Sequence, residues 1–286
     1  MIKNFNLLVF IFIVFFMFIL SEIKTKMFFN SYGYIREQEN HLIIILFLTM
    51  LLVIIPVIIM TIFFSIKYNE NNKEKRYTPN WDNSYFIEST IWIVPMIIIL
   101  FFSFLSIHST KKLDPRRNIN NFHKTLEIDV ISLDWCWLFI YPNYHVASIN
   151  EVVFPANTLI KFNLTSGSVM NSFFIPNLGS QIYTMPGAKT NLYLISKYSG
   201  VYKGFSANYS GEGFSNMKFS VLIFKNRNNF LNWIKKLKQS KNFLNNYRKF
   251  SYLKIPKKNR QVEYFSNVYP KLFYNVIEEF NCKNSN

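Results

Sequence analysis

The stretch "LEIDVISLDWCWLFIY", Leu126 to Tyr141, is where the hydrophobic pattern of this chain changes character. Before it the apolar runs are continuous. Within it apolar and polar positions alternate, with Ile128 and Val130 on one face, which is the two-residue period of a strand. Trp135, Trp137, Phe139 and Tyr141 carry that alternation on as an aromatic run, read as sandwich core and interface. Downstream, "EVVFPANTLIKFNLTS", "SFFIP", "TNLYLIS", "GVYKGFSANYS" and "MKFSVLIF" repeat the theme, each bounded by Pro, Gly, Asn or Ser. Short strands separated by turn residues predict an antiparallel β-sandwich or barrel of about 100 residues, placed at 111–226.

Upstream, two runs, Leu42 to Ile66 and Ser89 to Ile107, each hold roughly 20 uncharged residues, enough to cross the hydrocarbon layer of a bilayer. They predict a transmembrane helical hairpin over 26–110, with spans at about 42–66 and 88–107. Pro56 and Pro95 lie inside the spans and do not break them, because membrane helices re-satisfy the freed backbone groups. The connection between them carries Lys67, Lys73, Lys75 and Arg76, so the positive-inside rule puts it in the cytoplasm and residue 108 onward outside. An earlier run, Phe5 to Leu20, is shorter and follows Lys3. It reads as a signal-peptide core without a small-x-small cleavage site, and an uncleaved anchor is the alternative; either way 1–25 is set apart.

Past Phe224 the period returns to that of a helix. Phe230, Leu231, Ile234 and Leu237, then Phe243 and Leu244, mark one apolar face, and "VEYFSNVYPKLFYNVIEEF" reads as helical from about Pro270. Residues 227–286 thus form an aromatic-rich helical extension that docks on the sandwich.

The formal net charge of +16 would suggest nucleic-acid binding in a soluble protein, but the membrane spans argue against it. From Lys225 onward there are 14 Lys and Arg against 3 Glu. Enrichment in Phe, Ile, Asn, Tyr and Lys, whose codons are rich in A and T, explains that excess by mutational drift, with an anionic-lipid or partner site as the alternative. Cys136 and Cys282 cannot build a disulfide framework. His41, His108, His123 and His145 are scattered without metal-ligand spacing, and no nucleophile–base pair or phosphate loop is present. The chain alone carries no catalytic centre.

One loop, "FSANYSGEGFSNM", Phe205 to Met217, has the spacing of a metal loop almost without metal ligands. A hairpin, then a sandwich with Ser-x3-Ser-x3-Phe-x2-Met in this loop, resembles subunit II of the haem-copper respiratory oxidases. Copper-bearing members of that family carry Cys-x3-Cys-x3-His-x2-Met here and a further His upstream. Matched by spacing, Ser206 and Ser210 stand at the cysteine positions, Phe214 at the histidine and Met217 at the methionine. Asn208 takes the place of a carboxylate that lends its backbone carbonyl, and Asn171, in "VMNSFFIPNLGSQIYTMPG", that of the first histidine. Hydroxyls are poor ligands for soft copper, and a lone thioether does not retain a copper pair. Met217 is accordingly read as core packing.

The phrases "FPANT", "DWCWLFIYP", "YTPNWDNSYFIESTIWIVP", "YSGEGFSNMKF" and "QVEYFSNVYPKLFYNVI" together span most of 41–280 and are similar to the copper-less branch, subunit II of cytochrome bo-type ubiquinol oxidases. The resemblance implies a cupredoxin-like sandwich in the periplasm and a multi-pass subunit of the bacterial inner membrane. It implies a proton-pumping complex in which subunit I holds haem b, haem o and one copper and oxidises ubiquinol, with subunits III and IV as further partners and no cytochrome c. This chain would be a non-redox member that stabilises subunit I. A glutamate at the start of the second span lies, in that family, at the mouth of a proton channel; here it is Glu88, whose other reading is an acid favoured by the helix dipole. Relatives often carry a lipoprotein cysteine after the first hydrophobic run, where this chain has Leu20 and Ser21. Two rival readings are a copper-bearing cytochrome c oxidase subunit, which the loop nearly excludes, and a membrane-anchored cupredoxin-like binding or sensing module outside any oxidase.

Overall fold

The computed structural model describes residues 32–68, 83–116 and 125–283. The early run Phe5–Leu20, most of the connection between the spans, and His123 lie outside the described residues. Two compact units divide the chain: His41–Asp114 forms one, and the chain up to Asn40 together with Pro115–Asn286 forms the other.

In the first unit the two apolar runs are helices, α1 (Tyr34–Lys67, which begins in the other unit) and α2 (Tyr85–Lys112). Both overrun the expected spans, so the helices also include His41 and His108. Pro56 and Pro95 sit within the helices. Hydroxyls in the apolar runs bond to their own helix one turn back: Thr49 to Ile45 O at 2.9 Å, Thr61 to Val57 O at 2.8 Å, Thr90 to Phe86 O at 2.8 Å. That is how a polar side chain is satisfied where no water is at hand.

The second unit is a sandwich of two sheets. Its strands are β1 (Thr125–Leu133), β2 (Cys136–Tyr141), β3 (Val146–Ile149), β4 (Glu151–Pro155), β5 (Leu159–Ser166), β6 (Asn171–Ile175), β7 (Gly179–Thr184), β8 (Thr190–Leu194), β9 (Gly200–Ser206) and β10 (Lys218–Phe224). After them come α3 (Arg227–Lys238), β11 (Phe243–Leu244), α4 (Tyr247–Leu253), β12 (Glu263–Val268) and α5 (Leu272–Lys283). One sheet runs β11-β12-β3-β2-β1-β5-β8 and the other β4-β10-β9-β6-β7. The expectation of a purely antiparallel sandwich is corrected: β1 pairs with β5, and β4 with β10, in parallel. The alternation in the sequence reports burial on each face of a strand and is silent on strand direction.

The extension is helical over α3 and, as expected, just past Pro270 in α5, but Phe243 and Leu244, read as part of the helical face, form the short strand β11. Its apolar face forms α3, burying Phe230, Trp233, Ile234 and Leu237, but Glu263–Val268 is a strand that pairs antiparallel with β3. The strand thereby extends the seven-stranded sheet, and α4 and α5 cover that sheet's outer face. Leu244, Phe250, Phe265, Val268, Phe273 and Val276 pack there against Cys136, Leu138 and Ile140 of β2.

This second layer explains why every residue of β2 is buried. Cys136, Leu138 and Ile140 face the extension, and Trp137, Phe139 and Tyr141 face the interior between the sheets. There Trp137 and Phe139 meet Phe173 and Phe219, whose rings stack at 5.1 Å with 9° between planes. Tyr141 closes the row: its hydroxyl donates to Val153 O at 3.0 Å and accepts from Val153 N at 2.8 Å, joining β2 to β4 across the sandwich. Burial pushes its ionisation far above the ordinary tyrosine range and pushes the Cys136 thiol up to about 11, so neither ionises at neutral pH.

Trp135 does not belong to that row. It occupies the turn between β1 and β2 with φ +64°, a left-handed conformation that aims its ring away from the core.

Candidate functional site

The turn that displaces Trp135 carries its indole onto the loop between β9 and β10. Its Nε1–H donates to Ser210 O at 3.0 Å, and the six-membered ring lies against Gly213, where a Cβ would come within 2.1 Å of it. Gly211 beside it has φ +101°. Glycine is thus required twice in this loop, once for close approach and once for backbone conformation. The loop ends in a short 3-10 turn, Phe214–Asn216, before β10.

Beneath the indole the loop is tied down by hydrogen bonds. The Ser206 hydroxyl donates to Asn171 Oδ1 at 3.1 Å and lies 3.2 Å from Asn208 O, a second acceptor. Asn171 Nδ2 donates to Val169 O at 3.2 Å. The Ser210 hydroxyl points to Met217 Sδ at 3.8 Å, and Ser206 N donates to Met217 O at 3.1 Å, linking the two groups. Thr184 supports the floor, its hydroxyl 3.2 Å from Asn171 O and 2.9 Å from the Ser132 hydroxyl. Phe214 turns its ring edge to Tyr209 at 5.7 Å. Met217 is fully buried and Asn171 and Ser206 nearly so.

Asn171, distant in sequence, joins Ser206, Asn208, Ser210, Phe214 and Met217 of one loop in a single local cluster. Whether it could hold a copper pair is answered by its donor set. The side-chain donors are two amides, two hydroxyls and a single thioether, and the hydroxyl hydrogens are spent on Asn171 and Met217. Such hard, neutral oxygens do not suit a soft copper pair that needs thiolate and imidazole, so the residues present do not fit it. Among the described residues no group of three or more His, Cys, Asp or Glu could hold a metal ion.

Glu88 lies in the first turn of α2, with its backbone N–H donating to Ser84 O at 2.9 Å. Sequence reasoning found the loop positions but missed Trp135 and Gly213 as the pair that shapes the loop. The tryptophan fits the strand's alternation, and only the positive φ takes it off the strand.

Comparison with known proteins places these features. The family described as cytochrome c oxidase subunit II, periplasmic domain, matches residues 143–223, and the cytochrome oxidase aromatic-rich motif matches residues 238–284. The chain is 50% identical over 256 residues to cytochrome bo(3) ubiquinol oxidase subunit 2 of Buchnera aphidicola subsp. Schizaphis graminum, covering 90% of this chain and 88% of that protein. It is 53% identical over 245 residues to the protein of that name from Buchnera aphidicola subsp. Baizongia pistaciae, covering 86% of each. Against that of Pseudomonas putida it is 44% identical over 252 residues, covering 88% of this chain and 80% of the relative.

Proposed function

The chain belongs to the cytochrome bo(3) ubiquinol oxidase subunit 2 family, and from that premise we propose that it serves its oxidase without carrying electrons, as a brace for subunit I. It is a membrane-anchored subunit of a terminal ubiquinol oxidase, an oxidoreductase complex, with two apolar helices and a cupredoxin-like sandwich followed by C-terminal helices. The observation that carries the proposal is the Asn171–Ser206–Asn208 and Ser210–Met217 network, which fills with hydrogen bonds the place where copper-bearing relatives hold their metal.

The chemistry of the substrate supports this reading. A quinol is apolar and delivers its electrons from within the bilayer, so an external relay accepting them from cytochrome c has no task. Haem b, haem o and one copper then belong to subunit I, with subunits III and IV completing the complex. The sandwich lies in the periplasm and the chain crosses the inner membrane more than once. In favour of that topology, Tyr32–Asn40, at the start of α1, belong to the sandwich unit, and Pro115, just past α2, does as well.

Glu88 is proposed to stand at the proton entrance on the cytoplasmic side. It is the one acidic residue of α2, placed in the first turn. An ionisable group at that depth is costly unless it pairs or serves water-borne protons.

Removing the chain tests the brace. The expected result is an oxidase that loses subunit I stability, since no electron passes through this chain. An intact complex that oxidises quinol at the normal rate without it would contradict the proposal.

A further inference from the structure

Both connections to the membrane helices end on one five-residue segment of the sandwich, Tyr193–Lys197, the end of edge strand β8 and the residues after it. Tyr193 N donates to Pro115 O at 3.1 Å, just past the end of α2. Two residues on, Ile195 O accepts from Tyr34 N at 3.3 Å, the first residue of α1. Ser196 forms a bridge with Gly33, Lys197 N donates to Tyr32 O at 3.0 Å, and the Lys197 ammonium pairs with Glu37.

The approach is close. Gly33 lies so near the turn before β7 that a Cβ on it would come within 2.3 Å of Leu178 O. Arg36 N donates to Leu178 O at 3.3 Å, and Glu39 Oε1 accepts from Ser180 N at 3.3 Å. The Tyr32 ring packs 5.0 Å from Tyr202 and 6.1 Å from Tyr198. All these residues belong to the sandwich unit.

We propose that Tyr193–Lys197 is a double tether, which fastens to one edge of the sandwich the points where the chain departs for α1 and returns from α2. Two residues of extended chain span about 7 Å, so the tether holds Tyr34 and Pro115 at neighbouring points and replaces the missing ladder partner of an edge strand. Four bonded pairs acting through one segment give cooperativity: opening the α1 side frees the segment that also holds Pro115. The inference deepens the bracing role and rests on it only for its purpose, because a brace transmits nothing unless both crossings are fastened to it. The tether itself is read out without any oxidase activity.

Hydrogen exchange on the assembled oxidase in detergent tests it, comparing the wild type with Gly33→Ala and with Lys197→Pro. The first variant puts a Cβ against the Leu178 backbone; the second deletes the Lys197 donor without touching the core. In the wild type the amides of Tyr34, Tyr193 and Lys197 should be protected together. In Gly33→Ala those three, and in Lys197→Pro the remaining two, should exchange at least about tenfold faster, while Leu138 and Phe139 of β2 stay protected. Tyr193 keeping its protection in both variants, or lacking protection in the wild type, would overturn the tether. If the tether opens as expected and subunit I stays as stable as before, the tether stands and the bracing role fails.

Discussion

The Ser206 hydroxyl donates to Asn171 Oδ1 across the β6–β9 pair at 3.1 Å, both residues being almost completely buried. Two positions that would ligate one metal in a copper-bearing relative here satisfy each other. Ser206→Ala leaves the buried Asn171 oxygen without its donor, at a cost of about 1–3 kcal/mol. Denaturant unfolding should show that loss, with copper content unchanged.

The loop is shaped by packing in place of a metal. Gly213→Ala would drive a methyl into the Trp135 ring and is expected to cost about 1–3 kcal/mol, the usual range for overpacking. Calorimetry of the variant checks it. A Gly213→Ala protein as stable as the wild type would mean that the indole is free to move.

Tyr141→Phe keeps the ring in the core but removes the partner of both Val153 backbone groups. Each is buried between the sheets, so about 1–3 kcal/mol should be lost. The deficit should be seen in unfolding of the sandwich and be absent from any spectrum of the haems.

Tyr264 on β12 gives a pH signature. Burial first, and then its hydrogen bond to Glu151 at 2.7 Å, push the phenol up to about 12. A proton bound more tightly in the folded state contributes stability that is fully present below the unfolded value near 10. It is lost as pH rises through the folded value. Between pH 10 and 12 the wild type should therefore lose stability more steeply than Tyr264→Phe, measured by denaturant unfolding across that window.

These sites divide by how far the sequence revealed them. The alternation of Leu126–Tyr141 is legible because it records burial, and burial is what positions Trp137, Phe139 and Tyr141. The same alternation misplaces Trp135, since a turn residue with positive φ can imitate the next position of a strand. Strand β12 is hidden for another reason: Glu263–Val268 is held by β3 and by the extension's own core, contacts more than a hundred residues away in the case of β3. The spacing of Ser206, Ser210, Phe214 and Met217 is local and was readable. The tether on Tyr193–Lys197 joins segments about 80 and 160 residues away in the sequence and leaves no periodic trace.

Glu88→Gln keeps the shape of the side chain and removes its charge. As a proton collector Glu88 should matter to turnover, so the variant should retain haem content and assemble normally while quinol oxidation slows, most at high pH where protons are scarce. A turnover–pH profile identical to the wild type at equal haem occupancy would leave Glu88 as a helix-end charge.

Electrons are proposed to reach oxygen in this complex without passing through this chain. Electron paramagnetic resonance of the assembled oxidase, recorded with metal analysis of this subunit after its separation, tests this most directly. No mixed-valence dinuclear copper signal and no stoichiometric copper in the subunit are expected. A mixed-valence dinuclear copper spectrum that disappears when Met217 is replaced by Leu would contradict it.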